Sequence, residues 1–79
     1  MLLFATARTA VGQARIDRTV PAGGVPASEL LRELAARFPG LGPVLRTSRV
    51  FRNGVPLRRS SERVRPGDEL AVHPPYGGG

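Results

Sequence analysis

The residues with the clearest chemical potential are the last six, Pro74-Pro75-Tyr76-Gly77-Gly78-Gly79. Two prolines offer no backbone N–H to a sheet, so a strand that precedes them has to end there. Three successive glycines have no side chain to bury, and Tyr76 to Gly79 is therefore expected to form a thin, flexible tail of at most roughly 13 Å. Such a tail can enter a channel that rejects any Cβ atom. A terminal Gly-Gly by itself is also typical of a frayed end or a cloning scar.

Other residue types that support catalysis are scarce. The chain has no cysteine and a single histidine, His73, which excludes a disulfide framework and a thiolate metal site. The carboxylates are not clustered in the sequence, so no metal centre is expected. His73 falls at an outward position of an alternating segment, which favours a solvent-facing residue over a ligand or a catalytic base.

The charge of +6 comes from twelve arginines and no lysine, set against six acids. A strongly basic small domain raises the prospect of a nucleic-acid partner or an acidic protein surface. The arginines are spread along the chain, however, and the few aromatic residues are too scattered for a base-stacking platform. Nucleic acid is therefore the less favoured partner. Without lysine, no side-chain amine of this chain can accept an isopeptide bond.

Length and hydropathy predict one small domain. Seventy-nine residues leave no room for a second one. No apolar run approaches the ~20 residues of a membrane span, and no charged region precedes the apolar start of the chain. We therefore expect a soluble, cytoplasmic protein without a membrane partner.

The first half of the chain predicts two strands and one helix. Leu2 to Arg8 is a short run that is apolar on both faces, and Ala14 to Val20 alternates, which predicts a hairpin around Gly12-Gln13. Ala27 to Phe38 carries apolar residues at helical spacing and predicts an amphipathic helix that ends at Pro39-Gly40. Leu41 to Thr47 is expected to be a loop.

The second half predicts short strands separated by turns. Asn53-Gly54 is the strongest hairpin dipeptide of the chain, and Pro66-Gly67-Asp68 predicts another turn. Between them, a polar excursion is expected to be pinned by a buried Val64. The predicted strands are 49–52, an edge strand over 55–58, and 69–73, the last with Leu70 and Val72 facing inward.

This order of elements is that of an α+β fold, the β-grasp or ubiquitin-like fold, in which a mixed four- to five-stranded sheet packs on one main helix. The helix is the one large apolar surface that can cover the sheet. We assign residues 1–75 to the β-grasp domain and residues 76–79 to the flexible tail.

An ordered set of short motifs resembles the MoaD/ThiS sulfur-carrier family, and more narrowly the small subunit of molybdopterin synthase. No single motif is specific, but their order along the chain is. The motifs are Phe4-Ala5-Thr6-Ala7-Arg8 before Gly12, Leu30-Leu31-Arg32-Glu33-Leu34 before Phe38-Pro39-Gly40-Leu41, Asn53-Gly54, Pro66-Gly67-Asp68-Glu69-Leu70-Ala71-Val72, and Pro74-Pro75 ahead of the terminal Gly78-Gly79.

The resemblance implies chemistry at the last residue. The carboxylate of Gly79 would be adenylated by an enzyme of the ubiquitin-activating type, and a sulfur donor would then displace AMP to leave a thiocarboxylate. Gly78 would give access to the partner's channel. The domain itself would then be a carrier and not an enzyme, with only AMP from ATP transiently linked to it.

The resemblance also implies a docking surface for larger partners, such as the large subunit of molybdopterin synthase. The residues expected to contact them are Phe4, Phe51, His73, Pro74, Pro75, Tyr76 and Gly77. Tyr76, Gly77 and His73 depart from the molybdopterin branch, which leaves open a carrier for cysteine, thiamine, tRNA thiolation or a sulfur-containing natural product. A ubiquitin-like protein modifier is a further alternative, and an RNA-binding β-grasp module is a third.

Overall fold

A computed structural model describes residues 1–75, and in this range the chain forms two small sheets and three helices. The strands are β1 (Leu2–Leu3), β2 (Val25–Pro26), β3 (Arg49–Arg52), β4 (Val55–Pro56), β5 (Arg63–Val64) and β6 (Leu70–His73), and the helices are α1 (Ala5–Val11), α2 (Ala27–Arg37) and α3 (Leu41–Thr47).

The main sheet is mixed and has the strand order β1-β6-β3-β4. β1 runs parallel to β6, whereas β3 is antiparallel to both β6 and β4. The carboxy-terminal strand β6 is thus an inner strand, hydrogen-bonded on both sides. β2 and β5 pair antiparallel in a separate two-stranded sheet. Together these strands confirm the predicted mixed sheet of an α+β fold.

Helix α2 covers one face of the sheet, as its apolar periodicity predicts. Leu34 packs with Leu3 and Val72 in one buried cluster, and Leu30 packs with Leu70 and Val64 in a second one. Burial of a leucine side chain contributes about 1.5–3 kcal/mol. These contacts therefore fix α2 to strand β6 through two buried clusters.

The first segment is not the strand that we predicted over Leu2 to Arg8. β1 ends at Leu3, and α1 begins at Ala5 after an extended Phe4. Alanine has the highest helix propensity, and Ala7, Ala10 and Val11 lie at i, i+3 and i+4 and face the core. Gly12 then ends α1 in the left-handed conformation, at φ 83°, and its N–H donates to the carbonyl of Arg8. Gly12 is thus a helix cap and not part of a hairpin turn.

The segment from Ala14 to Val20 is likewise not a regular strand. It keeps one isolated bridge, between Arg15 and Leu2. The Leu3 N–H donates to the Ala14 carbonyl and the Ile16 N–H donates to the Met1 carbonyl, both at 2.9 Å. The predicted pairing partners are therefore correct, but the contact is too short to count as a strand. Ile16 is buried as the alternation predicts.

Leu41 to Thr47, predicted as a loop, is helix α3. Leu41, Val44 and Leu45 share one face and pack into the same cluster as Leu34, with Leu41 fully buried. Pro43 is compatible with this helix because the N–H groups of a first turn have no intrahelical acceptor. The proline therefore does not exclude a helix here.

The remaining expectations agree closely with the structure. α2 differs from its predicted bounds by one residue, and Asn53 and Gly54 have the positive φ values, 51° and 80°, of the expected tight turn. Val64, Leu70 and Val72 are buried as predicted, but Val64 lies in strand β5, which pairs with β2, and not in an irregular excursion. The two last predicted strands are shorter than expected, at 55–56 and 70–73. The predicted tail over residues 76–79 lies outside the described residues.

Candidate functional site

The inner strand β6 places the carboxy-terminal end of the domain. Leu70 and Val72 point into the core, while Ala71 is half-buried and His73 is exposed on the opposite side of the sheet. Strand pairing stops at His73, and Pro74 and Pro75 follow it without a strand partner, as their missing N–H groups require. The chain therefore leaves the sheet from the end of a strand that is held on both sides.

Three rings meet beside this exit. The ring of Phe4 stacks on His73 with 4.4 Å between centroids and 13° between planes, and Phe51 approaches His73 edge-on at 5.0 Å. Phe4 is positioned by its own backbone, which is extended ahead of α1 and donates its N–H to the Val72 carbonyl. Phe51 reaches the same place because its partner across the strands is Ala71. Contacts of this kind add about 0.5–1.5 kcal/mol beyond area burial.

The rings belong to a wider apolar surface on the side of the sheet away from α2, which we call the outer face. Its central row is set by strand register, with Leu2 beside Ala71, Ala71 beside Phe51, and Phe51 beside Pro56. Phe4 remains 40% exposed at its edge. Arg49 lies across from His73 and brings a positive charge to this face. The outer face thus joins an apolar centre to a cationic side chain, next to the chain exit.

Two turns are joined at the other end of β6. The Asn53 side chain donates to Asp68 at 2.9 Å and accepts the Glu69 N–H at 2.8 Å. The second carboxylate oxygen of Asp68 accepts the Arg65 N–H at 2.8 Å. These hydrogen bonds, first that from Arg65 and then that from Asn53, hold the pKa of Asp68 below its ordinary value. We call this set the turn clasp, because it fixes the β3–β4 turn to the start of β6.

The predicted contact residues fall into two groups. Phe4, Phe51 and His73 come together in one ring cluster, and Pro74 and Pro75 follow directly. Tyr76 to Gly79 lie outside the described residues. Sequence reasoning missed Arg49 and the turn clasp, since both depend on strand register and on contacts between turns that are distant in the chain.

Within the part of the chain that the structure describes, this site consists of an apolar surface and a fixed strand end, and it has few reactive groups. Among residues 1–75, no group of three or more histidines, cysteines and carboxylates is close enough to hold a metal ion. The His73 ring contacts two phenyl rings, and its exposed position agrees with the predicted outward orientation. In the same range, no helix has the length and apolarity needed to cross a membrane. The arrangement thus places an exposed apolar surface next to the end of the last strand.

Comparison with known proteins gives one family. The model of the ThiS family matches residues 1–79, and so covers the sheet, the helices and the terminal glycines. A search of curated proteins gives no match.

Solved structures from Haloferax volcanii have the same fold. The crystal structure of SAMP1 superposes with a TM-score of 0.81 at 28% identity, over 99% of this chain and 94% of that one. A crystal structure of small archaeal modifier protein 1 gives a TM-score of 0.79 at 26% identity, covering 94% and 92%. The solution structure of the HVO 2177 protein gives 0.77 at 31% identity, covering 99% and 82%. These likenesses confirm the predicted ubiquitin-like α+β fold.

Proposed function

The chain belongs to the ThiS family, and from this membership we propose that it is a sulfur carrier whose reacting group is the carboxylate of Gly79. The observation that carries the proposal is the family match, which extends through the glycines to residue 79. The membership also confirms the family that the sequence motifs predict.

The proposed reaction needs two steps. The Gly79 carboxylate attacks the α-phosphate of ATP, which forms an acyl-adenylate and releases pyrophosphate. Hydrosulfide, or sulfur delivered at that oxidation level by a donor protein, then attacks the carbonyl carbon; the C–S bond forms, the C–O bond to phosphate breaks, and AMP and a proton leave. A resting carboxylate resists nucleophiles, and adenylation supplies the leaving group.

In this chemistry the domain supplies an anchored last strand and a docking surface. β6 is hydrogen-bonded to β1 and β3, and the turn clasp fixes its start, so Pro74 and Pro75 follow a strand that is held along both edges. Gly78 and Gly77 add no side chain and fit a narrow channel. The outer face, with Phe4, His73 and Phe51 beside the exit, is the surface on which an adenylating enzyme of the ubiquitin-activating type would dock.

For the destination of the sulfur we propose molybdopterin synthesis, with a large synthase subunit as the acceptor. The motives are Pro74-Pro75 and the apolar outer face around Leu2, Phe4 and Phe51. A carrier for cysteine, thiamine, a thiolated tRNA base or a sulfur-containing natural product is the alternative within the same chemistry. It is motivated by His73, which puts an imidazole where the molybdopterin branch has a bulkier apolar strand end.

A second candidate function is protein modification. It is favoured by the likeness to SAMP1 and to the protein named small archaeal modifier protein 1, at TM-scores of 0.81 and 0.79. A lysine amine of another protein would then attack the same adenylate; the C–N bond of an amide forms, the acyl C–O bond breaks, and AMP and a proton leave, so no thiocarboxylate is made. Since this chain has no lysine, it could not form chains of itself through lysine side chains.

Intact-mass measurement after reaction with ATP, magnesium, the cognate adenylating enzyme and a sulfur source tests the carrier proposal. The protein should gain about 16 Da, the difference between oxygen and sulfur. Deletion of Gly78 and Gly79, which leaves no terminal diglycine, should abolish the gain and leave the melting temperature unchanged. Gly23→Ala is the matched control, because Gly23 has open space at its Cβ position and should still gain sulfur. Sulfur uptake by the deleted chain would contradict the proposal, and amide adducts without any thiocarboxylate would favour the modifier.

A further inference from the structure

A groove lies on the helix side of the sheet, away from the outer face. It runs between α2 and the segment that follows β4 and has a volume of about 200 Å³. Val50 takes part in it and pairs with the inward residue Val72, whereas its neighbour Phe51 lies on the outer face. The residues that line this α2–β4 groove are Leu31, Ser48, Val50, Leu57, Arg58, Arg59 and Ser60.

The floor of the groove is aliphatic. Leu31, Val50 and Leu57 are each half-buried, so they pack against the core and still present apolar surface. The space is smaller than the ~300–1,000 Å³ of pockets that bind drug-sized molecules. It suits one or two inserted apolar side chains better than a whole metabolite.

The rim of the groove carries two positive charges. Arg58 and Arg59 are exposed, and neither forms an ion pair with any residue from 1 to 75. The nearest carboxylate, Glu62, is already engaged: one oxygen accepts the N–H groups of Arg58 and Arg59 at 2.7 and 3.0 Å, and the other pairs with Arg52 at 3.0 Å. The backbone hydrogen bonds from Arg59 and Arg58 also lower the pKa of Glu62, so the carboxylate stays ionised.

The rim is also held in place before any partner arrives. The Ser28 N–H at the start of α2 donates to the Ser60 carbonyl, and the Ala27 N–H donates to the Glu62 carbonyl, both at 2.8 Å. The loop that bears the two arginines is thus fixed to the helix that supplies Leu31. A surface that is already ordered loses less conformational entropy on binding.

We propose that the α2–β4 groove binds a peptide segment of a partner protein in which a bulky apolar residue lies next to two or more carboxylates. The apolar side chain enters between Leu31 and Leu57, and the carboxylates pair with the guanidinium groups of Arg58 and Arg59, which favour such bidentate contacts. A nucleic acid would match the positive charge of the rim. The floor, however, offers no ring on which its bases could stack, since none of the lining residues is aromatic. This interaction is separate from the outer face and does not involve Gly79.

The test uses the intact protein and a defined probe. The probe is a blocked ten-residue peptide with two adjacent leucines flanked on each side by two glutamates, titrated at about 50 mM salt, where exposed charges are weakly screened. Amide chemical shifts should move at Leu31, Val50 and Leu57. The double change Arg58→Gln/Arg59→Gln should raise Kd by about five- to tenfold, while Arg8→Gln/Arg37→Gln, which removes the same charge outside the groove, should leave Kd within about twofold.

Further arms separate the possible occupants. A probe with its leucines replaced by serine, and one with its glutamates replaced by glutamine, should each bind at least about fivefold more weakly. The proposal is overturned if the leucine-glutamate probe moves no groove amide at about 1 mM, or if both arginine pairs matter equally. It is also overturned if a short single-stranded RNA occupies the groove more tightly than the probe. Because sulfur uptake at Gly79 is measured separately, failure here leaves the carrier proposal standing, and the reverse also holds.

Discussion

His73 is the residue at which three segments of the chain meet beside the exit. Its side chain lies outside the core because residues alternate along β6, which places Leu70 and Val72 inside. Phe4 reaches this ring through the parallel pairing of β1 with β6 and its own extended backbone, and Phe51 reaches it through the antiparallel pairing of β3 with β6. Alternation in the sequence predicts the outward position of His73, but these pairings join distant segments and are not readable from local sequence.

Asp68 gives a residue-scale prediction about pH. Its ionised form accepts hydrogen bonds from Arg65 and Asn53, and its pKa in the folded state lies below the ordinary value of 3.8. A carboxylate with a lowered folded pKa stabilises the protein above its unfolded pKa, and this contribution is lost as the pH falls through the folded pKa. Asp68→Asn should therefore lower the melting temperature at neutral pH, and the gap to the parent protein should close as the pH falls below 3.8.

The matched control for this change is Asp17→Asn. Asp17 is exposed and pairs with the exposed Arg15, a type of contact that contributes little. Its melting curve should follow that of the parent protein from neutral to acid pH. A constant gap between Asp68→Asn and the parent protein at every pH would show that the turn clasp acts through shape and not through the charge of Asp68.

At the scale of elements, α2 was predictable and α1 and α3 were not, for a physical reason. α2 is long enough for its apolar stripe to repeat, and proline and glycine mark its end. α1 and α3 have seven residues each, so their i, i+3, i+4 pattern occurs once and is easily mistaken for a short strand or a loop. Their burial against α2 and the sheet then decides the outcome, since tertiary packing overrides local propensity.

Leu41 tests whether α3 is a true part of the core. Its side chain is fully buried in the cluster that contains Leu3, Leu34 and Val72. Leu41→Ala should lower the free energy of unfolding by about 2–5 kcal/mol, the range found when a buried leucine is truncated. Urea denaturation measures the change. Val55→Ala is the control, because Val55 is 64% exposed, and its effect should stay within about 0.5 kcal/mol. Equal effects of the two changes would mean that α3 only covers the core loosely.

The two sides of the main sheet differ across the whole molecule. The helices cover one side of the main sheet, and the outer face stays open around the end of β6. Of the twelve arginines, Arg15, Arg18 and Arg52 form ion pairs among the residues that the structure describes. The net charge of +6 is therefore displayed to partners more than it is neutralised within the fold, which favours acidic protein surfaces.

The last prediction joins the outer face to the destination of the sulfur. If a large molybdopterin synthase subunit is the acceptor, it should bind this protein at micromolar concentrations, and the thiocarboxylated form should convert the cyclic pterin precursor to the dithiolene.

Phe4→Ala should raise the Kd of this complex at least about tenfold, because an exposed ring next to the exit is a typical anchor. Val55→Ala removes an exposed apolar side chain from the edge strand, paired with Arg52 and thus off the outer-face row, and should leave Kd unchanged. Equal losses for both variants would exclude docking on the outer face. If this protein binds only a different synthase, the molybdopterin assignment is wrong and the proposed carrier chemistry at Gly79 is unaffected.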